Sequence, residues 1–122
     1  MFGVEKMKLT AHFDNNEFTC KCGCGLNNIS RLLVEKLERV RKACGVKFVI
    51  TSGCRCAKHN AAVGGVANSS HVKGYAADIA LTDYNRVIII QALRKEFNRI
   101  GIAKNFVHVD VDPDLSIAEW RY

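Results

Sequence analysis

The chain has 122 residues and a formal net charge of +6, with 18 basic and 12 acidic residues and a 48% hydrophobic composition. This length predicts one compact domain over residues 1–122, and no apolar run approaches the ~20 residues that a membrane-spanning helix needs. The basic residues are spread along the predicted helices and are not interleaved with aromatic residues, which argues against a nucleic-acid-binding protein.

Turn residues and apolar periodicity predict a mixed α and β architecture. The predicted elements are, in chain order, an arm and loop (1–28), a helix (29–44), a strand (46–51), a loop with a short helix (52–70), a strand (75–81), a helix (84–100), a strand (106–111) and a last strand (117–122). Asn28 or Ser30 is expected to cap the first helix, and Gly45 to end it. This order predicts an α+β fold, with a small antiparallel sheet and two main helices.

The second main helix is predicted to begin after Asp83 as its cap and to end at Gly101. The residues expected on its buried side are Val87, Ile88, Ile90, Leu93, Phe97 and Ile100. Within the predicted strands, alternation places Asp78 on one face with Ala76 and Ala80. The same alternation places His108 on one face with Phe106 and Asp110.

Six cysteines stand at positions 20, 22, 24, 44, 54 and 56. Cys44 is expected to be a buried small hydrophobic residue at a helix end. Three interpretations of the groups Cys20–Cys24 and Cys54–Cys56 stay open: a disulfide, a structural metal clip that ties the N-terminal loop to the core, or free thiols.

His71, Asp78 and His108 supply two imidazoles and a carboxylate, which is a common ligand set for zinc with an open coordination position. Taken separately, His71 and Asp78 are compatible with a surface histidine and a carboxylate at the start of a strand. His108 lies within the apolar segment 106–109, where a buried imidazole needs a partner. A metal ion is one such partner, and a hydrogen-bonded core histidine is the alternative.

The segment Ser69-x-His71-x-x-Gly74-x-Ala76-x-Asp78 matches a long and specific motif. It resembles the motif of the zinc D-Ala-D-Ala carboxypeptidases and L-alanyl-D-glutamate endopeptidases of peptidase family M15. Segments 51–60 and 106–111 are similar to two further conserved stretches of these enzymes, so that the resemblance runs from about Phe18 to the end of the chain. It implies the fold shared by lysostaphin-type peptidases, D-Ala-D-Ala peptidases and the hedgehog signalling domain.

The resemblance also assigns roles to individual residues. It makes His71, Asp78 and His108 the ligands of Zn²⁺. It makes Arg55 the cation that holds the substrate carboxylate or polarises the scissile carbonyl, and Ser69 a hydroxyl that contacts the substrate or supports a ligand. His59 is expected to be structural.

The general base is the point at which this sequence departs from the family pattern. Asn105 stands where many relatives have an acidic residue, three positions before the last zinc histidine, and an amide cannot take a proton. Asp110 is the expected base, and a carboxylate that orients a ligand is the alternative role. Asp112 and Asp114 are expected in a turn, and Cys54 replaces a tyrosine of the family.

The resemblance implies a zinc-dependent peptidase that cleaves the stem peptides of bacterial peptidoglycan. The alternative function is a non-catalytic zinc domain that binds a wall peptide or a protein partner. We expect the protein to be a monomer, and its N-terminus lacks the apolar stretch of a secretory signal. We expect it to act on the wall either after release from the cell, as a phage lysin does, or as a module of an exported protein.

Overall fold

The structure is a computed structural model in which residues 7–122 are described. The helices and strands are, in chain order, α1 (Arg31–Cys44), β1 (Ile50–Ser52), α2 (Ala57–Ala62), β2 (Ala76–Ala80), α3 (Arg86–Leu93), β3 (Arg99–Ile102), β4 (Phe106–Asp110) and β5 (Ala118–Arg121). This arrangement confirms the predicted α+β fold.

The five strands form one sheet in the order β1-β2-β4-β3-β5. All neighbours are antiparallel except β3 and β5, which run parallel. The sequence predicted four strands, so β3 and the parallel pairing of β5 were missed. The sheet is nonetheless mostly antiparallel, as predicted.

Helix α1 forms where the periodicity predicts it. The hydroxyl of Ser30 accepts a hydrogen bond from the backbone N–H of Leu33, and Gly45 ends the helix in the left-handed conformation at φ 69°. Leu33 and Leu37, one turn apart, are fully buried. The apolar face of α1 therefore covers the core side of the sheet.

The second main helix is shorter than predicted and is rotated about its axis. Helix α3 ends at Leu93, and Arg99–Ile102 forms β3 against β4. Pairing in the sheet therefore overrides a helical apolar pattern in this segment, where the side chains of Ile100 and Ile102, two positions apart, both belong to the hydrophobic core. Val87 and Ile88, expected in the core, are exposed by 62% and 42% because Ile89, which was not expected there, faces the core.

The two faces of the sheet have different chemistry because side chains alternate along each strand. The core face carries Ala77 and Ile79 of β2 and Val107 and Val109 of β4. Asp78 and His108 alternate with these residues and lie directly opposite each other in the β2–β4 register. The opposite face of the central strand pair therefore presents the polar groups.

The N-terminal segment packs onto this core. Phe13 and Phe18 are fully buried. The carboxylate of Glu38 in α1 accepts a hydrogen bond from the His12 backbone N–H at 2.6 Å and contacts His12 Nδ1 at 2.6 Å. These contacts fix the segment that leads to the cysteine-rich loop.

Candidate metal centre

The three residues predicted as metal ligands converge on one point. His71 Nε2 lies 3.2 Å from Asp78 Oδ1, and His108 Nδ1 lies 3.0 Å from the same oxygen. All three ligand atoms lie within 4.8 Å of one another, and all three residues are buried. Such an arrangement of two imidazole nitrogens and a carboxylate oxygen matches the donor set of a catalytic zinc site.

A tight turn carries His71 to the two strand residues. The turn ends at Gly74, whose φ of +80° favours glycine, and a Cβ there would lie 2.0 Å from the carbonyl oxygen of Asn28. The Gly74 N–H donates to the His71 carbonyl at 3.3 Å, and the same carbonyl accepts from the Arg55 N–H at 3.2 Å. These bonds fix the backbone of His71 relative to the strands.

Each histidine is oriented by a hydrogen bond on its far side. His71 Nδ1 lies 2.7 Å from the carbonyl oxygen of Gly53, which can only accept, so Nδ1 carries the proton. His108 Nε2 lies 2.7 Å from Asp110 Oδ2, and a carboxylate likewise accepts. When both rings are neutral, the nitrogens left without a proton are Nε2 of His71 and Nδ1 of His108. Both face Asp78, as ligands of a metal do.

The charges of the cluster suit a bound cation. Burial raises the pKa of Asp78, but hydrogen bonds and charge interactions with His108 and His71 outweigh burial and lower the pKa to about 2. Burial lowers the pKa of His108, whereas its hydrogen bonds with Asp110 and Asp78 raise it, and the net shift is upward. A metal cation among these atoms would replace the proton that His108 otherwise takes up.

Arg55, the residue expected to hold the substrate carboxylate or polarise the scissile carbonyl, lies beside the cluster. Its Nη2 is 3.7 Å from Asp78 Oδ2. Its Nε donates to the Ser52 hydroxyl at 3.2 Å, and its Nη1 donates to Asn60 Oδ1 at 3.3 Å. These two bonds hold the guanidinium at the edge of the site, where 17% of the side chain remains exposed.

Ser69 supports the turn that carries His71. Its hydroxyl accepts a hydrogen bond from the His71 backbone N–H at 3.2 Å. Ser69 also lines the cavity described below, so both roles that the resemblance gave it are compatible with its position. His59 lies in α2, outside the cluster.

Asp110 is fully engaged within the protein. While Oδ2 contacts His108, Oδ1 accepts from Arg99 Nε at 2.8 Å and from the Asp112 N–H at 3.2 Å. Arg99 was missed as a site residue because the sequence placed it on a helix. The contacts of Asp110 are those of the ligand-orienting alternative. Its role as a base stays a prediction.

Asp112 and Asn105 differ in their surroundings. Asp112 begins a turn, as expected, since its carbonyl accepts from the Leu115 N–H at 3.4 Å. Its side chain is buried and accepts hydrogen bonds from the Ser70 hydroxyl at 2.7 Å and from Lys73 Nζ at 3.0 Å. Asn105, at the position of the family's usual acid, is exposed between β3 and β4. The site therefore gains no carboxylate from either position.

A cavity of about 470 Å³ opens onto the cluster. Trp120 and Tyr122 form one wall, with the Trp120 ring 5.5 Å from the ring of His108 and the Arg99 guanidinium 5.0 Å from the Trp120 ring. Trp120 reaches this position because β5 lies beside β3, where Gly101 leaves room for the indole. The cavity is large enough for a short peptide segment next to the cluster.

Comparison with known proteins identifies one family. A family model described as Peptidase M15 matches residues 11–110, which include the three converging residues and Arg55. No curated protein matches the chain. Within residues 7–122, no helix is long and apolar enough to cross a membrane.

Proposed function

This chain belongs to the Peptidase M15 family, and we propose that it is a zinc-dependent peptidase that hydrolyses the stem peptides of bacterial peptidoglycan. The observation that carries the proposal is the convergence of His71, Asp78 and His108 at the floor of a cavity. Two neutral imidazoles and one carboxylate leave a coordination position for the reacting groups, which distinguishes a catalytic zinc site from a structural one.

The metal ion and the residues of the chain have separate roles in such a reaction. When bound, zinc supplies Lewis-acid activation of the scissile carbonyl and of water. Arg55 presents a permanent charge in a rigid fork at the edge of the site, suited to a carboxylate or to a developing oxyanion. Trp120 and Tyr122 give the cavity an aromatic wall against which a substrate can pack.

The cations of the loaded site support an anionic peptide as substrate. Arg55 and Arg99 line the cavity together with the carboxylates of Asp78 and Asp110, so a bound Zn²⁺ ion would make the lining positive, and the net charge of the whole chain is +6. Stem peptides carry free carboxylates, which a guanidinium binds in bidentate geometry. We therefore propose that the protein acts on the bacterial wall and recognises a carboxylate of the stem peptide through Arg55.

We propose that Asp110 positions His108. Its side chain is only 1% exposed, and both of its oxygens already accept hydrogen bonds. A general base needs access to the water whose proton it takes. Asp110→Asn separates these two roles.

Digestion of purified muropeptides, followed by mass spectrometry, tests the activity. We expect the zinc-loaded chain to cleave a defined bond, so that the two fragments together exceed the substrate by the mass of one water, and His71→Ala to cleave none. His59→Ala is the matched control, because His59 lies outside the cluster and should leave cleavage intact. A zinc-loaded wild-type chain that leaves every stem peptide intact would exclude the proposal.

The second candidate is a non-catalytic zinc domain that binds a wall peptide. It is favoured by the lack of a free acid: among the described residues that line the cavity, Asp78 and Asp110 are the carboxylates, and both are paired. It predicts saturable muropeptide binding without a change in mass. It also predicts that Asp110→Ala is silent in every cleavage assay.

A further inference from the structure

A second group of potential metal ligands lies outside the site described above. Cys20, Cys22, Cys24 and Cys56 bring their sulfur atoms within 4.8 Å of one another. The Cys20 and Cys22 sulfurs are 3.5 Å apart, and the Cys22 and Cys56 sulfurs are 3.7 Å apart. The group combines three cysteines of the N-terminal loop with one that follows Arg55 directly in the chain.

These separations match a shared metal better than a disulfide. A sulfur–sulfur bond is about 2.05 Å long. Four thiolates at about 2.3 Å from a tetrahedral zinc ion lie about 3.8 Å from one another. Both sulfur–sulfur distances given above are close to the second value.

The backbone of the loop is folded so that the three nearby cysteines converge. Gly23 and Gly25, on either side of Cys24, have φ values of 88° and 84°, which glycine adopts without strain. The Cys20 N–H donates to the Leu26 carbonyl at 2.9 Å and closes the loop. The loop thereby brings the sulfurs of Cys20, Cys22 and Cys24 together.

Backbone N–H groups point at two of the sulfurs. The Cys56 N–H donates to Cys20 Sγ at 3.4 Å, and the His59 N–H donates to Cys56 Sγ at 3.3 Å. Such donors stabilise the negative charge of thiolate ligands and orient them toward a metal. Cys22 and Cys24 are exposed, so that an ion can reach the group from solvent.

We propose that these four cysteines bind a structural Zn²⁺ ion that is separate from the centre formed by His71, Asp78 and His108. Four thiolates complete the tetrahedral coordination of zinc, so no position is left for substrate. This inference does not rest on the proposed peptidase function.

The four-cysteine zinc site would fix segment 53–56, which supports the centre formed by His71, Asp78 and His108. Gly53 and Cys54 lie against Phe18: the Cys54 N–H donates to the Phe18 carbonyl at 2.8 Å, and a Cβ on Gly53 would lie 2.7 Å from that oxygen. The carbonyl of Gly53 orients His71, as described above. A metal bridge from the loop to Cys56 would hold this segment at its other end, beside Arg55.

Metal analysis of the full chain, purified in the presence of zinc, tests the proposal. We expect two zinc ions in the wild type, one in the double variant Cys22→Ser/Cys24→Ser and one in His71→Ala. Cys44→Ser is the matched control and should keep both ions, because Cys44 lies outside both groups. A double cysteine variant that retains the wild-type zinc content would overturn the proposal.

Cadmium exchange identifies which ligands hold the ion. We expect a near-ultraviolet thiolate-to-cadmium charge-transfer band in the wild type and in His71→Ala. This band should be absent from the double cysteine variant.

The cadmium spectrum also keeps the two sites distinguishable. A chain that lacks the His71-dependent ion but shows the cadmium band would refute the peptidase proposal and support the four-cysteine site. Three observations on the wild-type chain would overturn the four-cysteine site: no cadmium band, disulfide-bonded cysteines, or iron in place of zinc. These observations need no cysteine variant, so they hold even if that variant fails to fold.

Discussion

Replacing Asp110 with asparagine probes how the metal centre is organised. In the native site, one carboxylate oxygen accepts from His108 Nε2 while the other accepts from Arg99 and from the Asp112 N–H. An amide keeps only one acceptor. If that oxygen accepts from Arg99, the amide NH₂ faces His108. His108 must then accept a hydrogen bond at Nε2, and its own proton moves to Nδ1, which faces Asp78.

The opposite orientation of the amide is equally unfavourable, because its NH₂ would face the two N–H donors. Water cannot restore the lost bond, since the Asp110 side chain is 1% exposed. A hydrogen bond to a charged group contributes about 1.5–3 kcal/mol. We therefore expect Asp110→Asn to weaken zinc binding about 10–100-fold, the range found for partners of ligating histidines.

The assay is competition with a chromophoric chelator for the zinc ion that His71→Ala removes. Nitrogen NMR of the histidine rings reports which nitrogen of His108 carries the proton. Turnover is then measured with zinc in excess, and Asp83→Asn, an exposed carboxylate replaced in the same way, is the control. Unchanged zinc affinity and an unchanged His108 tautomer, together with lost turnover, would refute the positioning role and identify Asp110 as the base.

Further predictions concern three other residues. Arg55→Ala should leave zinc content unchanged but lower turnover on muropeptides about 10²–10³-fold, the usual effect of removing a donor to a developing oxyanion; equal turnover would exclude that role. Gly101→Ala should lower the free energy of unfolding by about 1–3 kcal/mol in urea denaturation, because its Cβ would lie 2.5 Å from the Trp120 ring; an unchanged midpoint would show that the strand yields freely. Burial raises the pKa of Glu38, but its hydrogen bonds with His12 outweigh burial and lower the pKa to about 2. The ionised Glu38 carboxylate therefore stabilises the fold fully above pH 4.5, and this stabilisation is lost as the pH falls toward 2. Glu38→Gln should therefore destabilise the fold by about 1–3 kcal/mol at pH 7 and progressively less between pH 4.5 and 2; a difference independent of pH would contradict this.

The elements that the sequence predicted correctly are those in which local pattern and tertiary packing agree. Helix α1 has a cap, an apolar face and a terminal glycine that all favour the same bounds. The alternation of polar and apolar residues around Asp78 and His108 likewise allows one orientation of the strands. The apolar side chains face the core, and Asp78 and His108 lie on the opposite face. These residues could be assigned to one side of the sheet from sequence alone.

The missed features depend on distant parts of the chain. Residues 94–102 carry apolar residues compatible with helix or strand, and only pairing with β4 decides between them. Arg99 was therefore not recognised as the partner of Asp110. The contact of Cys56 with the N-terminal loop, across 34 positions from Cys22, fits two of the three interpretations that the sequence left open, because local spacing does not decide among them.

In the proposed zinc centre, the direct opposition of Asp78 and His108 in the β2–β4 ladder would make metal binding a reporter of correct folding. A shift of that ladder by one position would turn one of the two side chains into the hydrophobic interior, and the chelating triplet would fall apart. A metal ion at this centre would bind only the in-register chain, and it would add its binding free energy to that alignment and to no other. Slipped conformers would remain apo and would be the first to unfold or to be degraded when zinc is scarce.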